Sequence, residues 1–309
     1  LSDDGPAQIR HIKISADGKK MVYGMLQSKS SIGAVAVNEK PGAANGSPAL
    51  LVENSAPRNT FPAFTPDGSR FAFVIWQPGA LGALWLANAD GKNAAEIAQN
   101  ATIPTWFPDG KRIAFISTRD GVTRVWAIDI STGRETPLFT FETDVDFMKL
   151  APDGKQIAYN SKAGGAINVW LANLETGEQR QVTFHEEFMG FPIWSPDGKT
   201  LAVQIKQGED THVALVSLAS GEIEQLTAER GQSWIHSFSP DGERIAFAGQ
   251  RDDIWNVYTV SRRTKEQKKL TNYDRLSTYV RYPAWSPRGD QIVFEYAETT
   301  GNIWLTELK

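Results

Sequence analysis

The chain has 309 residues, of which 41% are hydrophobic and 22% are charged, and its formal net charge is −4. This composition is that of a globular protein with a large core, and the lack of a basic stripe argues against a nucleic-acid partner. The sequence contains no cysteine, which excludes disulfides and cysteine-ligated metal sites. No run of about 18 apolar residues occurs, so we expect no membrane insertion by this segment.

A four-residue turn motif recurs along the whole chain. In its clearest form, Ser195-Pro196-Asp197-Gly198, proline pre-sets φ for a type I turn and glycine takes the left-handed conformation that continues a hairpin. Related turns occupy residues 15–18, 65–68, 107–110, 151–154, 195–198, 239–242 and 286–289. Their glycines, at 18, 68, 110, 154, 198, 242 and 289, are separated by steps of 50, 42, 44, 44, 44 and 47 residues. This period is typical of β-propeller blades.

Each repeat is predicted to contain four short strands, A to D, joined by turns. The first repeat is the least regular, because its C–D connection at residues 38–48 is long and rich in glycine, proline and alanine. The sixth repeat is the clearest, with predicted strands at 234–238, 244–248, 254–260 and 267–271. Because the repeats run end to end, the sequence predicts an all-β fold with a single domain over residues 1–309. That domain is a seven-bladed propeller with four-stranded antiparallel blades.

The two ends of the chain predict how the ring closes. Leu1-Ser2 resembles the end of a strand D, and residues 302–306 resemble a strand C with nothing after it. We expect the last blade to take strands A, B and C from the C-terminus and strand D from residues at or before Leu1. Pairing of the N- and C-terminal strands would then bury the sheet edges that an open propeller exposes. The same interpretation implies that the native polypeptide extends upstream of Leu1.

Tryptophan positions separate scaffold from surface. Seven tryptophans occupy repeat positions in strand A or C and are predicted to pack between blades: Trp85, Trp106, Trp126, Trp170, Trp194, Trp285 and Trp304. Trp76, Trp234 and Trp255 match no repeat position. We therefore interpret these three as candidates for function.

The two faces of the predicted propeller differ. The A–B and C–D turns are uniform, whereas the D–A and B–C connections are varied and rich in aromatic and charged residues. Binding residues usually lie on such loops, and aromatic–arginine clusters are typical binding anchors. Lys149 shares a strand A position with Lys13 and lines the channel in the inferred register. The candidate residues on the D–A/B–C face and its central mouth are Trp76, Asp146, Lys149, His185, Trp234, His236, Arg251, Trp255, Tyr279 and Arg281. The alternative is that these side chains only plug the mouth or pack the loops.

Catalytic motifs are missing from the sequence. No G-x-S-x-G elbow occurs, and His185-Glu186-Glu187-Phe188-Met189 lacks the second histidine of H-E-x-x-H. The four histidines are spread over four repeats, although a propeller could bring His11, His185 and His236 to one mouth. We predict no catalytic residue, no cofactor and no metal site, with a divalent metal near His185 and His236 as the alternative.

The repeat also resembles a known family. The matching stretches are Trp194–Gly198 with Leu201-Ala202-Val203, Ser239–Phe247, Asn256-Val257-Tyr258 and Gln225-Leu226-Thr227. They resemble the WD40-like Pro-Asp propeller repeat of the TolB family, and the resemblance covers essentially the whole chain. TolB-type proteins are periplasmic binding partners with a separate N-terminal α/β domain and a six-bladed propeller. This chain differs, with seven turn copies, no such domain and Arg288 in place of the last motif aspartate.

The resemblance implies a bacterial, periplasmic or extracellular domain. The favoured function is that of a monomeric, non-enzymatic propeller that binds a protein or peptide, like a sensor domain of a larger protein. Similar propellers occur as oligogalacturonate lyases and as gating domains of prolyl-oligopeptidase-like peptidases, and both remain alternatives. The lyase would need a histidine-rich metal site, and the peptidase would need a hydrolase domain beyond Lys309.

Overall fold

The computed structural model describes residues 7–37, 47–53, 58–76, 82–143 and 145–307. These residues form strands and turns only, arranged in six antiparallel sheets. Within the described ranges there is no helix that could cross a membrane. The chain is therefore all-β, as the sequence predicts.

Five sheets are each built from four strands that follow one another in the chain, which is the meander of a propeller blade. The N-terminal strands come first and are β1 (Ala7–Ile14), β2 (Lys20–Ala36) and β3 (Ala49–Val52). Blade 1 contains β4 (Arg58–Phe64), β5 (Arg70–Trp76), β6 (Ala83–Asn88) and β7 (Ala95–Ala98). Blade 2 contains β8 (Thr102–Trp106), β9 (Arg112–Ser117), β10 (Arg124–Asp129) and β11 (Glu135–Thr140). Blade 3 contains β12 (Met148–Leu150), β13 (Gln156–Ser161), β14 (Asn168–Asn173) and β15 (Gln179–Gln181).

The remaining strands form the other half of the ring. Blade 4 contains β16 (Met189–Trp194), β17 (Thr200–Gln207), β18 (Asp210–Ser217) and β19 (Ile223–Gln225). Blade 5 contains β20 (Gln232–Phe238), β21 (Arg244–Arg251), β22 (Ile254–Ser261) and β23 (Gln267–Lys269). The last two strands are β24 (Thr278–Trp285) and β25 (Gln291–Glu307). Both ends of the chain meet in the sixth sheet, where β2 pairs with β25.

Blade 6 is a composite of the two ends of the chain. Strand β24 and the first half of β25 supply its strands A and B, while the second half of β2 and then β3 supply C and D. Strand β2 pairs with β25 along its whole length, from Lys20 opposite Glu307 to Ala36 opposite Gln291. Its first half therefore continues beyond the blade, with β1 on its other side. We call this extension, residues 7–27 and 299–307, the terminal ribbon.

The count of seven blades is not confirmed, because the first and seventh turn motifs lie in the same sheet. A ring of contacts between motif turns shows the sixfold arrangement: a Cβ placed on Gly68 would lie 3.5 Å from Pro287 of blade 6. The same contact to the proline of the preceding blade recurs in Gly110–Pro66, Gly154–Pro108, Gly198–Pro152, Gly242–Pro196 and Gly289–Pro240. No atom of the described residues lies within 4 Å of the Cβ position of Gly18, in the first motif. The first motif thus turns the terminal ribbon and not a blade.

The terminal ribbon also changes two further expectations, one about ring closure and one about Trp304. The termini do pair within the last blade, but β2 and β3 supply two of its strands, whereas we expected one strand from residues at or before Leu1. Trp304, predicted to be core, is 48% exposed because it lies on the ribbon. Of the other repeat-position tryptophans, Trp194 and Trp285 are buried, while Trp85, Trp106, Trp126 and Trp170 are half-buried. The Nε1 groups of Trp106 and Trp194 donate to Ala63 O and Lys149 O in the preceding blades.

Local hydrogen bonds explain the repeat motif. In the regular turns the Ser or Thr hydroxyl donates to the motif aspartate, as Thr65 does to Asp67, and the same aspartate accepts the Ser69 amide. Hydrogen bonds from Thr65 and then Ser69 lower the pKa of Asp67 to about 2. In the last turn, where Arg288 replaces aspartate, Ser286 donates to Asp290 instead. This substitute partner keeps the turn intact without the motif carboxylate.

The Asn-Val and Leu-Thr signatures are also structural. The buried hydroxyl of Thr183 accepts the Val169 amide at 2.9 Å and donates to Asn168. The Asn168 side chain in turn accepts the amide of His185 and so anchors the loop to the next blade. Blade 5 repeats this arrangement with Thr271, Val257, Asn256 and Tyr273. These motifs therefore specify how strand D and the D–A loop attach to strand C.

Candidate functional site

A pocket of about 480 Å³ opens at the centre of the D–A/B–C face. Blades 3 to 6 all contribute to it, so no single repeat contains the site. Its lining residues are Phe147, Phe188, Phe191, Gln204, Lys206, Glu209, Thr211, Gln232, Trp234, Ile235, Arg281 and Tyr282. We call this the mouth pocket. It lies on the face that the varied loops predicted.

A ring of six apolar residues, four of which line the mouth pocket, was not identified from the sequence. One residue per blade, seven positions before the motif glycine, contributes: Phe61, Ile103, Phe147, Phe191, Ile235 and Tyr282. We call these six residues the collar. Rings from neighbouring blades touch, with centroids 4.0 Å apart for Phe61 and Tyr282 and 5.1 Å apart for Phe147 and Phe191. The signal was present in the sequence, since an apolar or aromatic residue recurs at this offset in six of the seven motif copies and only the first has His11 there.

Unusual backbone geometry positions the collar. Phe61, Ile103, Phe191 and Tyr282 have φ values of 52° to 53°, in the left-handed region. Each is followed by proline, and the strand pairing shifts register at these points. A bulge of this kind re-aims a side chain, and a non-glycine residue there costs on the order of 1–3 kcal/mol. Four strained residues in equivalent positions therefore mark the channel entrance as a functional candidate.

Four of the predicted site residues form one aromatic–cation cluster at the edge of the mouth pocket. The Trp234 ring lies 4.5 Å from Trp255 and 5.9 Å from Tyr279, measured between centroids. The Arg281 guanidinium stacks 3.9 Å above Tyr279 and 5.2 Å from Trp234. Burial raises the pKa of Tyr279 to about 12, so its hydroxyl stays protonated. Trp255 is only 6% exposed and acts as packing, which leaves Trp234 and Arg281 to face the pocket.

Positive charge exceeds negative charge at the deep side of this cluster. Glu295 is 2% exposed and accepts a hydrogen bond from Arg58 Nε at 3.1 Å. Burial raises the pKa of this carboxyl, opposed by Arg58 and then Arg281. Arg281 Nε and Glu295 Oε2 have no hydrogen-bond partner among the described residues. Arg281 therefore lines the mouth pocket with a guanidinium whose Nε is closed to solvent.

His236 and Lys149 lie below the collar. The His236 ring is 2% exposed and its centroid is 5.4 Å from Tyr282 and 6.3 Å from Phe147. Burial and then the nearby Lys149 hold the pKa of His236 well below its ordinary value, so the ring is neutral. Lys149 Nζ lies 5.7 Å from the Phe147 centroid, and burial lowers its pKa to about 8. Lys149 also borders a smaller pocket of about 190 Å³ that is lined by the A–B turns of the opposite face.

The other predicted site residues lie elsewhere. Arg251 donates to Gln232 O, Gln250 O and Ser233 Oγ and so holds loop backbone. Asp146 accepts from Asn160 and borders a separate pocket of about 480 Å³ between blades 2 and 3. His185 Nδ1 accepts the Glu187 amide in its own loop, and Trp76 donates to Thr60 in blade 1.

The described residues give no geometric support to a metal site near His185 and His236. His185 contacts its own loop while His236 packs in the channel, and the His11 side chain is outside the described residues. In the described ranges no group of three His, Cys, Asp or Glu side chains is placed to hold a metal ion. The site geometry therefore rests on aromatic rings, with the Arg281 guanidinium at the mouth and the Lys149 ammonium below it.

Comparison with solved structures shows the same fold in several proteins. TolB from Acinetobacter baumannii aligns with a TM-score of 0.67 at 20% identity, covering 91% of this chain and 83% of that one. The protein described as TolB from Agrobacterium tumefaciens gives 0.71 at 17% identity, covering 88% and 99%. Oligogalacturonate lyase in complex with manganese gives 0.54 at 12% identity, covering 95% and 96%. At these identities the likeness establishes the fold alone.

The sequence comparisons identify the family. No curated protein gives a significant match to the chain. The family model described as the TolB beta propeller domain matches residues 8–148 and 142–308, which together span nearly all the strands described above. The chain therefore belongs to the TolB β-propeller domain family.

Proposed function

We propose that this chain is an extracytoplasmic, monomeric binding propeller that takes a protein or peptide segment into the mouth pocket and performs no chemistry of its own. The observation that carries the proposal is the combination of an aromatic wall with the Arg281 guanidinium at one concave site. Aromatic residues and arginine supply most of the binding energy at protein interfaces. The extracytoplasmic location is proposed from membership of the TolB family.

The wall and the rim of the mouth pocket suit a peptide. Phe188, Phe191 and Trp234 offer apolar surface to side chains, while Gln204 and Thr211 add polar groups between them. Lys206 and Glu209 place opposite charges at the same opening. Such a mixture of a desolvated apolar centre and polar edges is the usual anatomy of a specific interface.

The test uses peptides selected from a random phage-displayed library on the immobilised protein. We expect Trp234→Ala to weaken binding of a selected peptide by about 10-fold to 100-fold, since anchor residues contribute about 2 kcal/mol or more. Arg281→Ala should act in the same direction. Titration calorimetry measures the affinity, and thermal unfolding reports whether each variant is folded.

Trp76→Ala is the matched control, because Trp76 also lies outside the repeat positions but donates to Thr60 away from the pocket. It should leave peptide affinity unchanged. Phe188→Ala provides a third pocket variant, which guards against loss of packing between Trp234, Trp255 and Tyr279. Equal affinity for the wild type and all three pocket variants would refute the assignment of the mouth pocket.

A further inference from the structure

A polar side chain without a partner lies in the wall of the mouth pocket. Gln204 lines this pocket and is only 6% exposed. Its amide makes no hydrogen bond within the described part of the chain, and neither amide atom is sealed from solvent as Arg281 Nε is. The amide therefore opens into the pocket. Gln232 lines the same pocket but is already paired, because its Nε2 donates to Glu209 O and its Oε1 accepts from Thr211.

Comparison of the blades shows that the free amide is specific to Gln204. It lies in strand B six residues after the motif glycine, where the other blades have Val74, Ile116, Asn160, Ala248 and Glu295. The two other polar residues at this position each bind the next blade. Asn160 Oδ1 accepts the Phe191 amide at 2.7 Å. Glu295 accepts a hydrogen bond from Arg58. Among the described residues, Gln204 is therefore the one polar residue at this position that has no protein partner.

The neighbouring strands explain why the amide stays open. The residue opposite Gln204 on β16 is Gly190, which has no side chain to cover it. The residue opposite on β18 is Val213, which has no polar side-chain group. Lys206, two residues further along β17, lines the same pocket, and alternate residues of a strand share a face. The Gln204 side chain thus reaches the mouth pocket without a polar cross-strand neighbour.

The amide group selects the chemistry of its ligand. A glutamine side chain offers N–H donors and a carbonyl acceptor. A carboxylate would use only the donors, and an ammonium would use only the acceptor. A peptide residue in the extended conformation presents its own N–H and C=O on one side, as in a hydrogen-bonded pair of an antiparallel sheet. Such a residue satisfies both ends of the amide, whereas a ligand that covers the amide without these groups loses affinity.

We propose that Gln204 binds the main chain of one extended peptide residue in the mouth pocket, with Nε2 donating to its C=O and Oε1 accepting from its N–H. Main-chain hydrogen bonds of this kind give affinity, and pockets for alternate side chains give specificity. Phe188 and Trp234 supply apolar surface for such side chains in the same pocket. This inference rests on the proposed function and names the form of its ligand, an extended peptide segment.

The experiment uses a peptide selected from the phage-displayed library and analogues in which one peptide bond at a time is replaced by an ester, which removes one N–H. We expect one ester to weaken binding to the wild type by about 5-fold to 10-fold, the effect of about one net hydrogen bond. The same ester should not weaken binding to Gln204→Leu, which lacks the amide. Gln204→Glu keeps an acceptor and loses the donors, so it should bind the parent peptide more weakly but stay sensitive to the ester. Titration calorimetry completes this double-mutant cycle.

Gln207→Leu is the matched control, because Gln207 lies on the same strand outside the pocket and its amide donates to Gln225. It should keep both the affinity of the wild type and the sensitivity to the ester. Thermal unfolding checks that each variant is folded. Peptide binding that none of the three pocket variants above weakens would refute the proposed function and this inference together. Binding that those variants weaken, but with no ester position coupled to Gln204, overturns this inference alone.

Alanine substitution in the peptide separates a main-chain contact from a side-chain contact. Alanine keeps the N–H and C=O of the residue that it replaces, so the ester effect that depends on Gln204 should persist when the ester-sensitive residue is changed to alanine. Coupling between Gln204 and a carboxamide side chain of the peptide, with no coupled ester, would contradict the main-chain assignment.

Discussion

The ring of six blades and the terminal ribbon contain the same turn motif, but the turn is packed only in the ring. In both regions a Ser or Thr hydroxyl donates to the motif aspartate, as Ser15 does to Asp17 and Thr65 does to Asp67. In the ring the Cβ position of each turn glycine lies within 4 Å of a proline of the preceding blade, whereas no described atom lies that close to the Cβ position of Gly18. The motif therefore specifies a turn, and packing around it decides whether that turn belongs to a blade.

The regions also differ in what they bury. Phe71, Phe115, Phe247 and Phe294 in the ring are fully buried. On the ribbon, Ile14, Ile303 and Leu305 are 61%, 82% and 62% exposed. Since buried apolar area is the main source of stability, we expect the ring to unfold as a unit and the ribbon to contribute little to its cooperativity.

The largest expected contrast compares aromatic truncations in the two regions. Phe115→Ala should destabilise the protein by about 3–5 kcal/mol, because it leaves a cavity in the core. Trp304→Ala should cost less than about 1 kcal/mol, because that side chain is 48% exposed on the ribbon. Urea denaturation monitored by circular dichroism measures both. Similar losses for the two variants would mean that the ribbon is part of the cooperative unit.

A smaller contrast compares one substitution in two turns. Gly154→Ala and Gly18→Ala both place a side chain at positive φ, 72° and 69°, which costs about 1–2 kcal/mol locally. At Gly154 the new methyl group would also lie 3.0 Å from Pro108 Cδ, and such crowding adds about 1–3 kcal/mol. Gly154→Ala should therefore lower the Tm clearly, while Gly18→Ala should leave the main transition nearly unchanged. Equal shifts in scanning calorimetry would argue against sixfold contact between the turns.

The smallest expected effect concerns the pH dependence of the turns. Hydrogen bonds from Thr65 first, and then from Ser69, lower the pKa of Asp67 to about 2, below the unfolded value of about 3.9. The folded state therefore gains stability from this group above about pH 4 and loses it as the pH falls towards about 2. Asp67→Asn should flatten the stability curve in that window.

Asp17→Asn is the control for this titration. The pKa of Asp17 is also lowered, chiefly by the hydrogen bond from Ser15, but its turn lies on the ribbon. Urea midpoints measured between pH 2 and pH 7 should therefore follow the wild type for Asp17→Asn and deviate for Asp67→Asn. A deviation of the same size in both variants would contradict the separation of ring and ribbon.

Some residues of the candidate site were identified from the sequence, and others were not. The varied loops indicated the D–A/B–C face, and Trp234, Tyr279 and Arg281 do meet there, although they are distributed over two blades. Trp255 matched no repeat position, yet it is buried because β22 turns it towards Trp234 and Tyr279. The collar was missed because its members are separated by more than 40 residues in sequence and become neighbours only when the ring closes.

By itself, the sequence determined the turns, the strand period, the antiparallel blades and the family, because these depend on contacts within one repeat. Hydrogen bonds such as those of Asp67 and Thr183 are local, so they form wherever a repeat keeps these residues. The sequence did not determine the number of blades, because that number depends on the pairing of β2 with β25, which are separated by nearly the whole chain. Only the tertiary structure could decide that two motif copies share one sheet, and that closure brings the collar, Lys149 and His236 around a single channel.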